Sequence, residues 1–420
     1  IRWWRGRMAG KLIHQRGEPA GVGAAGPPEV VDANMKVPLL DLTPQYRTLR
    51  QQLHAAIDEV CESQRFILGP AVEAFEDAVA EYCGCEHAVG VSSGSDALLV
   101  ALMAMDVGPG DAVITTPFSF FATAGSIARL GATPVFVDID AETFNLDPAR
   151  VRALLENRPQ AMANLTPKVL LPVHLYGQCA DMTPLLDVAH EHGLRVVEDA
   201  CQSIGSQYPA AEGPRKAGAM GDAGCFSFFP SKNLGGFGDG GMVTTHDAAL
   251  AEKIRCLRNH GANPKYYHRL IGGNFRLDAL QAAVLKVKLK YLECWHRARR
   301  ENASHYDEAF GEVDRIVTPV RRYANAGLEN DHIYNQYVVR VPARDRVRRG
   351  LTEKEIGCEV YYPVPLHLQE CFSDLGYQEG DFPESERAAQ EVLALPVYPE
   401  LTGRMRMAVI EATSARVAGV

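Results

Sequence analysis

Residues 224–242 read GCFSFFPSKNLGGFGDGGM. Two strand-like runs, 225–229 and 241–245, are joined here by nothing but a loop that carries one lysine. Lys232 sits in a polar knot with Ser227, Ser231 and Asn233, between an aromatic run and a glycine-rich segment. A lysine set against Phe226, Phe229, Pro230 and close-packed backbone loses hydration, and desolvation lowers the pKa of a cation. An amine that traps a carbonyl as a Schiff base needs that shift. A solvated turn lysine is the competing reading, and this stretch alone does not separate the two.

Working outward, apolar residues recur at helical spacing over 45–61 (Tyr46, Leu49, Leu53, Ile57, Val60) and again over 72–82, after the Gly69–Pro70 break. Residues 87–105, HAVGVSSGSDALLVALMAM, turn at 92–95 and continue as a helix from Asp96 to Met105. The chain then alternates: strand 112–115, helix 122–130, strand 133–137, helix 148–156, strand 169–173, helix 183–192, strand 195–198. Near-continuous Val, Ile and Leu in the strands predicts a mostly parallel α/β sheet covered by helices on both faces. The lysine loop interrupts this alternation. A long helix over 277–294 follows, and strands 331–341 and 358–362 around a helix 344–354 predict a smaller C-terminal α+β domain. No internal repeat is present.

The chain has 420 residues, enough for a large core and a second, smaller one. Its net charge of −9 argues against wrapping nucleic acid or lying on an anionic membrane, which both want a basic face. No apolar run has the length of a transmembrane helix. Ten cysteines without framework spacing point to reduced thiols and a cytoplasmic setting. The Cys83, Cys85 pair is a weak metal signal, and no metal is expected. Residues 1–34 lack periodicity, and patterned sequence begins after Met35. The expectation is a disordered or artefactual extension over 1–34, a large domain over 35–288 and a small one over 289–420.

Four strand ends carry chemistry. Residues 92–96, SSGSD, lead into a helix N-terminus, whose free N–H groups suit a phosphate; a plain cap at Ser95 or Asp96 is the bland alternative. Phe118, Phe120 and Phe121 follow a strand and can stack on a flat ring or fill a core. Asp199 ends a parallel strand, where it can pair with a cationic ring nitrogen or cap a helix, and Gln202 lies within reach of a phenolic oxygen. Glu198 falls on the opposite face. Together with Lys232 these parts fit pyridoxal 5'-phosphate: phosphate cup, stacking plate, ring-nitrogen acid and aldehyde-binding lysine.

The segments FILGPAVEAFEDAVAEYCG, GVSSGSDAL, TPFSFFATA, PVHLYGQCADM, VVEDACQ, SFFPSKNLGGFGDGGMV, NFRLDALQAAVL and YYPVPLHLQ, in this order, resemble the DegT/DnrJ/StrS family of nucleotide-sugar aminotransferases. The resemblance implies the type I PLP-dependent aminotransferase fold and a homodimer whose active sites are shared between subunits. It assigns Lys232 and Asp199 as catalytic, and Gly94, Ser95, Phe120, Asp199, Gln202, Ser227, Lys232 and Asn274 as cofactor-binding. Asn274 is implied to serve the partner's phosphate, and Arg276 to face the sugar. This chain has Ser93, Gly94 and Ser95 where members usually read S-G-T, which keeps the hydroxyl. An aromatic followed by proline at Phe229–Pro230 is similar to members that aminate C3 of the sugar, and a lysine rather than histidine at 232 to those that transaminate. The implied reaction moves an amino group from a donor, L-glutamate by family analogy, to a nucleotide-linked keto-sugar. The rivals are an amino-acid or other small-substrate PLP aminotransferase, using Arg340 or Arg344 for a carboxylate, and a non-catalytic PLP-binding regulator.

Overall fold

A computed structural model describes residues 35–419; the expectation for residues 1–34 lies outside the described residues. The strands are β1 (His87–Val91), β2 (Asp111–Thr115), β3 (Thr133–Phe136), β4 (Thr166–Leu170), β5 (Arg195–Asp199), β6 (Gln207–Ala210), β7 (Gly213–Lys216), β8 (Ala223–Ser227), β9 (Gly241–Thr245), β10 (Tyr337–Arg340) and β11 (Val392–Leu395). Seven of them form one sheet in the order β1-β9-β8-β5-β4-β2-β3. The pairs β2–β3, β2–β4, β4–β5 and β5–β8 are parallel, while β9 runs antiparallel to both β8 and β1. β1 therefore points the same way as β8, and the carboxyl ends of β1, β2, β5 and β8 share one edge. Open α/β sheets bind ligands at that edge.

Alternation along the strands feeds two apolar cores. Val113, Val169, Val197, Cys225 and Val243 pack into one, and Ile114, Leu170, Val196, Phe226 and Met242 into the other. Both faces are covered, which is why the strand centres read as near-continuous apolar runs, although β4 opens on Thr166, Pro167 and Lys168. Helix starts are set by short polar caps: Asp147 accepts from Ala149 N at 2.9 Å and starts Pro148–Glu156, and Asp247 accepts from Ala249 N at 2.8 Å and starts Ala248–Leu257.

Three expectations are corrected. The helix over 277–294 is two helices, Ala279–Leu289 and Leu292–Gly311; neither glycine nor proline marks the break, where Tyr291 instead bonds Gln52 and stacks on Trp295. The strand over 358–362 reduces to a single pairing of Glu359 with Ala394; Pro363 and Pro365, which lack N–H donors, follow at once. The strand over 331–341 shrinks to β10, paired antiparallel with β11. The β6–β7 hairpin, before the lysine loop, had no sequence counterpart in the alternation. Among the described residues no helix is long and apolar enough to cross a membrane.

Candidate active site

The helix Gly94–Ala104 begins directly after β1, two residues earlier than the sequence suggests, and its cap is Ser93, whose Oγ accepts from Asp96 N at 3.0 Å. Asp96 Oδ2 in turn accepts from Ser92 Oγ at 2.6 Å. The capping is thus done by Ser93, and helix geometry leaves the Gly94 and Ser95 N–H groups without intrahelical acceptors, turned to the positive end of the helix dipole. Gly94 packs against the end of β8: a Cβ placed on it would lie 2.6 Å from Ser227 Cβ and 3.0 Å from Cys201 Sγ. Gly241, where β9 begins, would meet Ser93 O at 2.3 Å. Only bare backbone fits here, so the N–H pair and the Ser227 hydroxyl converge on one cradle.

The Lys232 loop is held from both sides. Lys232 N donates to Phe229 O at 2.8 Å and Gly236 N to Phe228 O at 2.8 Å, closing tight turns on either side of the side chain. Asn233 donates to Ile333 O at 3.1 Å and accepts from Asn335 at 2.9 Å, and the buried Lys288 donates to Gly235 O at 2.5 Å. The sequence reading credited Phe226 and Phe229 with desolvating Lys232. Instead Phe226 lies wholly in the core beneath, whereas Phe229 is 52% exposed. Burial still pushes the Lys232 amine below its ordinary value, opposed by the nearby Cys201 and Asp199.

Asp199 is buried at the end of β5. Its Oδ2 accepts from Thr123 Oγ1 at 2.8 Å and its Oδ1 from Cys201 N at 3.2 Å. Thr123 is itself bonded to Ser119 at 2.9 Å. A carboxylate with two fixed donors keeps further lone pairs for a cationic N–H. Gln202 accepts from Tyr176 N at 2.8 Å and donates to Tyr362 Oη at 3.0 Å, which fixes its amide and leaves one N–H free. Tyr176 also donates through its hydroxyl to Tyr361 O. Phe120 stands 57% exposed above this group, its ring 6.3 Å from that of Tyr362.

Asn274 and Arg276 lie on a loop that bridges Val91 at the strand end before the cup, and line a polar cavity of about 560 Å³ with Ser92, Ser93, Asp96 and Gly238. Arg276 Nη1 donates to Asn259 at 2.9 Å, while its buried Nε has no partner among the described residues. The structure therefore gathers Gly94, Ser95, Phe120, Asp199, Gln202, Ser227 and Lys232 at one sheet edge and sets Asn274 and Arg276 in a neighbouring cavity. Sequence reasoning assigned no role to Thr123, Tyr176, Cys201 and Tyr362, although each lies in a segment that carries the resemblance. The residues fit pyridoxal phosphate on three observations: a cradle that a single Cβ would fill, an acid with unused acceptor capacity, and a lysine whose charge burial disfavours.

A model of the DegT/DnrJ/EryC1/StrS aminotransferase family matches residues 47–414. A "Pleiotropic regulatory protein" of Geobacillus stearothermophilus is 49% identical over 90% of this chain and 97% of its own length. A "UDP-N-acetyl-3-dehydro-alpha-D-glucosamine 3-aminotranferase" of Acidithiobacillus ferrooxidans is 40% identical over 88% of this chain and 94% of its own. Among solved structures, Streptomyces venezuelae DesV in complex with a ketimine intermediate superposes with a TM-score of 0.83 at 40% identity, over 90% of this chain and 98% of that one.

Proposed function

Because this chain belongs to the DegT/DnrJ/EryC1/StrS aminotransferase family, we propose that it transfers an amino group from a donor, L-glutamate, to C3 of a nucleotide-linked 3-keto sugar, with pyridoxal 5'-phosphate as cofactor. The observation that carries the reading is the convergence of Lys232, Asp199 and the Gly94–Ser227 cradle on one sheet edge. The C3 position draws on the Acidithiobacillus relative's name and on Phe229–Pro230.

When bound, pyridoxal phosphate supplies an aldehyde carbon and an electron-withdrawing ring. Gly94 N–H, Ser95 N–H and the Ser227 hydroxyl would hold its phosphate. Asp199, held by a donor on each oxygen, would pair with the ring nitrogen and keep it protonated. The free N–H of Gln202 would bond the phenolic oxygen, and Phe120 would cover the ring. Lys232 Nζ, whose charge burial disfavours, would bind the aldehyde carbon and then, once released, move the proton from the donor's α-carbon.

We also propose a cytoplasmic homodimer in which Asn274 serves the partner's phosphate and Arg276 the sugar. Tyr266, Tyr267 and Ile271, exposed by 78%, 70% and 93% near these residues, support a covered surface there. The division at 288/289 is supported by the nearby helix break, although Val37 pairs with Ile356 and so ties the first described residues to the C-terminal domain.

Purified protein with pyridoxal phosphate is expected to show a lysine-bound visible band that changes on adding glutamate, and Lys232→Ala to abolish the band. No change with any amino donor would overturn the aminotransferase reading. That silent outcome is what the regulator reading, suggested by the Geobacillus relative's name, expects. Screening nucleotide-linked 3-keto and 4-keto sugars for glutamate-dependent amination tests the position.

A further inference from the structure

Behind Asp199, on the opposite face of β5, lies a second carboxylate that the proposed reaction does not use. Glu198 is fully buried. Its Oε2 accepts from His174 Nε2 at 2.8 Å and Gly218 N at 2.8 Å, and its Oε1 from Met220 N at 2.7 Å and Gly221 N at 2.6 Å. Burial opposes its charge, but the His174 and backbone donors outweigh that and hold the carboxyl below its ordinary value. Ala180 N donates to His174 Nδ1 at 3.0 Å, so that nitrogen carries the lone pair and the ring proton sits on Nε2, facing Glu198.

The backbone of the same histidine reaches Asp199. His174 N donates to Asp199 O at 3.0 Å, and Asp199 N donates to Pro172 O at 2.9 Å. A closed circuit results: Glu198 carboxylate, His174 ring, His174 N–H, Asp199 carbonyl, and back along one peptide to Glu198. The donors at Gly218, Met220 and Gly221 anchor it to the turn before β8. Asp199 can keep its aim only if its own peptide is fixed, and His174, which donates to that peptide's carbonyl, is held by Glu198.

We propose that Glu198 and His174 are positioning residues for Asp199, a buried hydrogen-bonded clasp on the far side of β5 that sets the direction of the acid's side chain. The inference rests on the reading of Asp199 as the ring-nitrogen partner.

The test uses the holoenzyme and its apoprotein. His174→Asn keeps an acceptor for Ala180 but no longer reaches Glu198; His174→Gln keeps that reach. Apoprotein titrated with pyridoxal phosphate is expected to bind about tenfold more weakly in His174→Asn, with the pH midpoint of the visible band moved by about half a unit or more, and to recover most of both in His174→Gln. A role in stability alone would lower Tm and leave the midpoint in place. Should His174→Asn not fold, Glu198→Gln supplies the same measurement, because its amide meets backbone donors head-on. Affinity and midpoint within twofold of the parent in the folded variants, beside a responsive Asp199→Asn, overturn this inference alone. A silent Asp199→Asn removes the assignment of Asp199 and this inference with it.

Discussion

At the scale of single residues, the site depends on a few atoms that cannot be moved. Gly94 is one: adding a methyl 2.6 Å from Ser227 Cβ must push the helix start off the strand. Gly94→Ala is expected to weaken cofactor binding by at least about tenfold, read by fluorescence titration of the apoprotein, while far-UV spectra stay unchanged. Thr123 is another, since it donates to Asp199 Oδ2 from a buried position. Hydrogen bonds to charged groups contribute about 1.5–3 kcal/mol, so Thr123→Val should weaken cofactor binding by roughly 10- to 100-fold. Equal affinity in Thr123→Val would show that Asp199 does not need this donor. Lys232 gives a pH dependence with a definite sign: burial depresses its pKa below the ordinary 10.5. Only the neutral amine captures an aldehyde, so the capture rate of the apoprotein should rise with pH and level off short of that ordinary value. A rate still climbing beyond pH 10.5 would contradict the desolvated amine.

At the scale of elements, the loop between β8 and β9 shows both how much the sequence discloses and where it stops. The two strand runs, the glycines and the lysine were legible in the sequence around residues 224–245, while their antiparallel pairing came only with the structure. Legible too were β1, β2, β3 and β5, whereas the strand read over 169–173 is β4 at Thr166–Leu170, whose polar start Thr166–Pro167–Lys168 hid it. What the chain did not disclose was the support beneath the loop. Lys288 reaches Gly235 from another helix, and Asn335 reaches Asn233 from the C-terminal domain, contacts fixed by tertiary packing across 53 and 102 positions of sequence. Thr123 was hidden for the same reason: its neighbours spell a helix, and only the fold brings it to Asp199, 76 positions away. Lys288 carries a testable consequence. Burial lowers its pKa to about 8 in the folded protein against 10.5 unfolded, so the unfolded chain binds more protons between those values and stability rises with pH across that window. The rise amounts to roughly 3 kcal/mol at most, and Lys288→Met should remove it. Thermal unfolding followed from pH 7 to 11 in both proteins checks this, and identical slopes would exclude Lys288 as the source.

At the scale of the molecule, distant parts of the chain meet through side chains that cap one another. Asp138, just past β3, accepts from Glu384 N and Ser385 N, each at 3.0 Å, and from Ser385 Oγ at 2.6 Å, so it starts the helix Pro383–Glu391 from 247 positions away. Asp138→Ala should cost about 1–2 kcal/mol in urea unfolding and open residues 380–391 to limited proteolysis. Unchanged cleavage there would mean that the helix is held by packing alone. The order of the sheet has a consequence for how the protein comes into being. β1 is made early but its strand partner is β9, 158 positions on from His87 to its partner Thr245. The cup after β1 packs on Ser227 of β8 and on Gly241 of β9, so it closes only once the ribosome has delivered all three. A nascent chain halted before Thr245 has emerged carries most of the sheet yet offers the coenzyme no seat, because long-range pairing must close before its contacts can be made. Vitamin B6 capture thereby becomes a read-out of the closed sheet, a signal that sounds only once its last strand has been threaded between its neighbours.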